Sequence, residues 1–394
     1  MKTVSRMLFI AAFFMFIITV LVVTLGKNNI TASFFENRAL KGIPAFSQEK
    51  LVNDEYFKNW ETWFTDHAAG RNTLLKANSW LELNVLHMPV VSNVVVQDDV
   101  LLSYIKYGRW STSSYKDISE HTAKNLRDFA DYVHTLGGKF YYMGLPEQFS
   151  YFNHLYPDYL ENREWALRPM HTYFAQAMQK YGVNYINMYE VYNALNRPKE
   201  YYSLTDHHYT FYGALKAYKT LLDTINDDTD MNLRILDDDD MKIIELPNPY
   251  LGSRNRKLCG MRYMGEHAAY AVLNAPIPFS RWDNGIQTDA PVYNLPDSSE
   301  KIIDYNLYMK EDYAETIIRT NREKLPNALI FGDSFTNAIE TLLYTAFNET
   351  RSLDLRYYTE KTLREYIAEY KPAVVICVRD DTAFFSEEGN GNLK

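Results

Sequence analysis

Four short apolar runs, each beside an amphipathic helix pattern, constrain this chain most. They are "KFYYMGLP", "VNYINM", "NALIFGDSF" and "AVVICVRDD". Each is strand-length and rich in β-branched or aromatic residues. The helix "SEHTAKNLRDFADYVHTLG" precedes the first run, with Gly137-Gly138 as its stop. A helix over roughly 164–180 leads into the second run, and a short helix near "EVYNALN" follows it. The third run passes directly into "TNAIETLLYTAF", and "TLREYIAEY" leads into the fourth. This rhythm predicts an α/β fold: a parallel sheet with helical crossovers.

The 394 residues suffice for one large domain or two medium ones. The expected organisation is an N-terminal membrane segment over 1–27, a helical and hairpin extension over 28–110, and the α/β domain over 111–394. In the extension, "FFENRALKGIPAFS" reads as a tether. Two helices with a break near Gly70 follow it, then a hairpin around Asp98-Asp99. Between about 227 and 320 the rhythm breaks into prolines, glycines and short β-like runs. This segment is expected to be an insertion or a small β-rich lobe packed on the sheet. Its "LDDDDM" stretch fits no EF-hand spacing and reads as a solvated loop. The end, "EEGNGNLK", reads as a polar tail.

Lys2 and Arg6 precede Leu8–Leu25, 18 residues without a charge. As a helix that run is about 27 Å long, enough to cross a hydrocarbon core. Positive charge on its N-terminal side keeps that end in the cytoplasm and exports the body. The run is longer than a signal-peptide core and its exit is a weak cleavage site, so an uncleaved signal anchor is expected in the cell membrane.

Net charge is −9 and no long basic run occurs, which argues against nucleic acid as a partner. Cys377 lies in "AVVICV" and reads as a buried small hydrophobe; neither it nor Cys259 requires a disulfide. Thirty-two tyrosines are an unusual load. They suit ring-shaped polar ligands such as sugars, or reflect compositional drift.

Chemistry concentrates in two places. In "LIFGDSF", a strand runs into a turn and an expected helix start, which puts Ser334 at the carboxyl end of a parallel strand. There a serine has a helix N-terminus beside it for a developing oxyanion and a glycine for the tight turn. Alone, the motif equally describes a helix N-cap. In "SLTDHHYTFYG", Asp206 and His208 are two residues apart and point the same way if the segment is extended, with His207 facing away. Asp206 can then orient His208, leaving its second ring nitrogen for Ser334. Both motifs sit at junctions leading into helices of the expected α/β domain.

The pairing of "DHHYT" with a later "GDSF" after one membrane segment resembles the DHHW family, itself related to the SGNH-hydrolase-like O-acetyltransferases of the alginate acetylation (AlgX/AlgJ) type. "FFENRAL", "FTDHAAGRNTLL", "GLPEQFSYFNHLYP" and "PAVVICVRDD" extend the likeness over about 34–385. The resemblance implies an SGNH-type, flavodoxin-like core with permuted motif order, the Asp/His pair first and the serine last. By motif matching, Ser334 is the nucleophile, His208 the base and Asp206 its orienter, with no cofactor and no metal. The family motif ends in tryptophan where this chain has Tyr209. Candidates for oxyanion or substrate contact are Gln148 in the "GLPEQ" loop, Asn337, Tyr209, His207 and Arg379. For Arg379 an ion pair with Asp380 or Asp381 is the structural alternative.

The function expected is extracytoplasmic, serine-dependent acetyl transfer to hydroxyls of a cell-surface or secreted polysaccharide. The resemblance implies a membrane-bound O-acyltransferase as the partner that supplies the acyl group, since one anchor helix cannot carry acyl groups across a membrane. The alternatives are an acetyl-esterase, a metal-dependent phosphoesterase built on the DHH run, and a non-catalytic polysaccharide-binding protein on the same core.

Overall fold

The computed structural model describes residues 2–26, 30–36, 38–107 and 111–386. The polar tail 387–394, the exit of the apolar run at 27–29 and position 37 of the tether lie outside the described residues. The chain divides into two compact units, 1–97 with 253–263 and 98–252 with 264–394.

In the first unit the N-terminal run is one helix, α1 (Lys2–Leu25). Its Val4–Leu25 stretch, at mean hydropathy 2.9, is long and apolar enough to cross a membrane. Helices α2 (Glu55–His67) and α3 (Arg71–Asn84) follow, broken where expected, with Gly70 in the left-handed region at φ 76°. The Thr24 hydroxyl accepts the Ala69 N–H at 3.1 Å, joining the end of α1 to the α2–α3 corner. Cys259 is buried and free.

The second unit is built on an eight-stranded sheet. In chain order its strands are β1 (Lys139–Leu145), β2 (Tyr185–Asn187), β3 (Ser280–Asp283), β4 (Ile286–Thr288), β5 (Glu315–Arg319), β6 (Asn327–Gly332), β7 (Glu349–Asp354) and β8 (Val374–Asp380). Across the sheet they run β4-β3-β5-β7-β6-β8-β1-β2. The half from β7 to β2 is parallel throughout, as the rhythm predicted. The other half is not: β4, β3 and β5 join antiparallel, with Thr316 opposite Ser352. The sheet is therefore mixed and mostly parallel. The segment expected to be a separate insertion supplies β3 and β4, and β5 falls within its end. A smaller antiparallel ribbon, 241–245 with 269–273, forms apart from the sheet. The acidic stretch is a solvated turn, as read, with the Asp238 side chain 92% exposed.

Helices α4 (Tyr115–Thr135) and α5 (Glu164–Tyr181) end at left-handed Gly137 and Gly182, φ 87° and 65°. Their apolar stripes, including Leu126, Phe129, Phe174 and Met178, pack on the face formed by Phe140, Tyr142, Phe331, Val375 and Cys377. That face alternates along the strands, as a one-sided packing surface requires. Helix α6 (Phe211–Asp228) is capped by Thr210, whose hydroxyl accepts from the Gly213 N–H. Helix α8 (Leu363–Tyr370) opens on a Thr362–Glu365 capping box. Part of the tyrosine excess goes into the interior: Tyr141, Tyr142, Tyr151, Tyr192, Tyr202, Tyr209 and Tyr218 are all fully buried.

Candidate active site

Parallel pairing puts the carboxyl ends of β1, β8, β6 and β7 on one edge, where open α/β sheets place their sites. Ser334 lies two residues beyond β6. The helix does not begin there at once. Residues 333–336 form a hydrogen-bonded turn, in which Asp333 O accepts the Thr336 N–H at 2.9 Å and Ser334 O the Asn337 N–H at 3.3 Å. Only then does α7 (Asn337–Leu343) start, a helix of seven residues. The helix-end argument made for Ser334 thus gives way to a turn. Among the described residues the Ser334 N–H has no hydrogen-bond partner and stays available.

Gly332 is needed for a reason other than turn freedom, since its φ is not positive. A Cβ there would lie 2.5 Å from Val378 O on β8 and 2.7 Å from Thr336 Cγ2. Gly332→Ala is expected to force β6 and β8 apart and to cost about 1–3 kcal/mol, read as a lower urea midpoint. An unchanged midpoint would contradict the close approach.

The Asp206–Tyr209 loop meets this turn. His208 Nε2 is 2.8 Å from Ser334 Oγ, and His208 Nδ1 is 2.6 Å from Asp206 Oδ1. Asp206 is 2% exposed and His208 4%, while Ser334 keeps intermediate exposure. The Asp–His–Ser line expected from spacing is therefore assembled, but not on a strand. Residues 204–208 bend, with Ser203 Oγ accepting the Asp206 N–H at 2.8 Å and Asp206 Oδ1 accepting the His208 N–H at 3.2 Å. The bend corrects the expectation for His207, which does not face away. Its Nδ1 lies 3.2 Å from the same Asp206 Oδ1, and its ring centroid 3.8 Å from that of His208.

The other candidates fall into place around this line. Tyr209 is buried and its hydroxyl donates to the Phe335 carbonyl. It props the turn that carries Ser334 from inside the core. Gln148 is fully buried, and its amide group donates to Leu101 O at 3.0 Å and Ser203 O at 2.8 Å. Those bonds, with the Gln148 N–H on His207 O at 3.3 Å, make it a brace under the loop instead of an oxyanion donor. Asn337 gives one amide hydrogen to Asp312 at 2.9 Å, leaving the other for a ligand three residues from Ser334. Arg379 is buried and, among the described residues, forms its ion pair with Asp333 and not with Asp380 or Asp381. Its Nη1 donates to Asp333 Oδ2 at 3.2 Å, while Asp333 Oδ1 accepts the Phe335 N–H at 3.0 Å. The arginine thereby holds the turn residue beside Ser334.

Two contributors were missed at the sequence level. The Tyr305 ring lies flat on the His208 imidazole, with centroids 3.7 Å apart and 4° between planes. Glu266 accepts from the Thr205 hydroxyl at 2.6 Å and the Leu204 N–H at 3.1 Å, pinning the loop just before Asp206. Both come from the segment set aside as an insertion, and no local pattern marks either.

Asp206, His207 and His208 are also the group that could hold a metal ion among the described residues, one donor atom each within 4.8 Å.

Burial pushes the Glu266 carboxyl up to about 7. Burial, then the neighbouring Asp333 and Asp381 carboxylates, push Asp380 up to about 8. Unfolded carboxyls release their protons near pH ~4, so the folded state binds more protons between there and these values. Stability therefore falls as pH rises through that window. The melting temperature is expected to be lower at pH ~8 than at pH ~5.5, and Asp380→Asn should flatten the slope. A rise over the same range would contradict the assignment.

No family model matches the chain, and a search of curated proteins finds no match. Solved structures do match. Bacillus cereus PatB1, solved with a sulfonyl adduct, superposes at TM-score 0.62 with 21% identity over 74% of this chain and 97% of that one. A DHHW family protein from Eubacterium siraeum gives 0.55 with 17% identity over 77% and 97%. The O-acetyltransferase domain of Pseudomonas putida AlgJ gives 0.43 with 14% identity over 75% and 92%. The α/β fold with its mixed, mostly parallel sheet is that of PatB1 and of the DHHW family protein. The structural similarity agrees with the resemblance read from the two motifs.

Proposed function

We propose that this chain is a serine-dependent acyl transferase that moves acetyl groups onto hydroxyls of a polysaccharide outside the cytoplasm. The observation that carries the reading is the continuous line from Asp206 through His208 to Ser334, at 2.6 and 2.8 Å. Ser334 Oγ attacks the donor's carbonyl carbon while His208 Nε2 takes the hydroxyl proton. Asp206 accepts from Nδ1 and stabilises the imidazolium. The carbonyl oxygen becomes an oxyanion against the Ser334 N–H and the remaining Asn337 amide hydrogen. As the acyl–oxygen bond of the donor breaks, the leaving group receives the proton from His208. In the second half an acceptor hydroxyl gives its proton to His208 and attacks the acyl-serine; as the acyl–Oγ bond breaks, His208 returns the proton to Ser334 Oγ. Water in place of the sugar gives hydrolysis, so the acceptor site decides between transferase and esterase.

The stacked Tyr305 ring favours the imidazolium that both steps pass through. Tyr305→Ala is expected to lower turnover about fivefold, the worth of roughly 1 kcal/mol. Unchanged turnover would remove the tyrosine from the mechanism. The apolar α1 supports anchoring in the cell membrane with the body exported. The acyl donor would then come from a membrane-bound O-acyltransferase.

The reading is tested by acetyl-ester turnover of the full chain in detergent, using p-nitrophenyl acetate with and without a chelator and with oligosaccharide acceptors. Turnover that survives the chelator and yields acetylated oligosaccharide supports it. Loss with the chelator would favour a metal on Asp206, His207 and His208, and release of acetate alone would favour an esterase.

A further inference from the structure

A pocket of about 330 Å³ opens beside the Asp206–Tyr209 loop and takes in none of the triad side chains. Leu204 and Thr210 line it from either side of that loop. Its volume is at the lower end of the ~300–1,000 Å³ typical of small-ligand sites, enough for a sugar ring with its substituents. Tyr212 on α6 supplies a half-buried ring, with its hydroxyl on Glu245 Oε1 at 3.1 Å. Glu200 and Glu245 stand exposed among the lining residues, and Glu266 is the carboxyl already bonded to Leu204 and Thr205. The two basic side chains of the lining already have partners: Lys199 pairs with Asp99 at 2.7 Å, and His267 Nδ1 lies 3.0 Å from Leu246 O.

From this we infer that the pocket is a saccharide subsite for a non-acidic sugar unit, neutral or amine-bearing. The inference rests on the polysaccharide-acceptor reading and narrows it. Carboxylates accept hydroxyl and ammonium hydrogens, and a tyrosine ring offers a flat apolar face to the C–H side of a pyranose. The same carboxylates, with the only lysine already paired, repel uronate or phosphate groups. Burial holds Glu266 partly protonated at neutral pH, so it can donate to a sugar oxygen as well as accept. An occupant in contact with Glu266 touches the residue that pins the loop carrying Asp206 and His208. The subsite thus lies one hydrogen bond from Thr205, the residue that precedes Asp206.

The test is calorimetric binding to the full chain in detergent of three probes: cellotetraose, chitosan tetrasaccharide and trigalacturonate. Cellotetraose or chitosan tetrasaccharide should bind and trigalacturonate should not. Glu245→Gln, an exposed position that the fold tolerates, should weaken binding about tenfold, the scale of one lost charge-assisted hydrogen bond. Ser334→Ala should leave binding unchanged. No binding of the first two probes, equal binding of trigalacturonate, or no effect of Glu245→Gln overturns the inference. Binding by a wild-type chain that shows no acyl turnover would keep the subsite and remove the transferase reading.

Discussion

Ser334→Ala is expected to lower acetyl-ester turnover by about a thousandfold or more, with the melting temperature within a degree or two of wild type. The two halves of that expectation have separate causes. Ser334 is only intermediately exposed and its hydroxyl meets His208 Nε2 at 2.8 Å, so the variant deletes one hydrogen bond and one oxygen. The turn itself is held by other groups: Asp333 on the Phe335 N–H, Arg379 on Asp333, and Tyr209 on the Phe335 carbonyl. The fold therefore survives while the nucleophile is lost. What remains is the binding site and the oxyanion donors, which by themselves give only weak catalysis. Turnover within tenfold of wild type would assign the chemistry to another residue.

Asp206→Asn carries the second large effect, a loss on the order of ten-thousandfold in turnover. The asparagine keeps the shape, and its amide can still meet the loop. It can present an N–H to His208 Nδ1 where the carboxylate accepted one, which drives the imidazole toward the wrong tautomer. His208 Nε2 then carries the proton and cannot take another from Ser334. Because His207 Nδ1 shares the same oxygen at 3.2 Å, the substitution also frees a second imidazole beside the first. His207→Ala in the Asp206→Asn background should leave the loss in place, which separates the tautomer effect from competition by His207. Recovery of activity in the double variant would show competition to be the cause.

The strand and helix spans of the parallel half were legible because their signals are local. The unbroken apolar run in "NALIFG" and the stop at Gly137 need only a few neighbouring residues to be read. The Asp206–His208–Ser334 arrangement was legible for a related reason: a serine after a strand and an Asp-x-His before a helix each imply which edge they occupy. The antiparallel edge was not legible. β3, β4 and β5 are three to five residues long, and their place is set by pairings such as Ile317 with Arg351, which no local pattern encodes. The same non-locality hid Tyr305 and Glu266, which reach the site from that segment. His207 was misplaced because a strand's alternation was applied to a bend closed by Ser203 and Asp206 side chains. The tyrosine load suggested sugar binding, yet most of the largest buried rings serve the core. Tyr212, half-buried in the pocket wall, is the ring that the subsite proposal uses.

The central claim is that Ser334 is a nucleophile activated by His208. It is tested most directly by mapping covalent modification of the full chain after treatment with phenylmethanesulfonyl fluoride, with the adduct located by peptide mass spectrometry. The account predicts one sulfonyl adduct, on Ser334, formed in wild type and His207→Ala and strongly slowed in His208→Ala. An adduct on a different residue, or labelling of Ser334 at the same rate without His208, would contradict it.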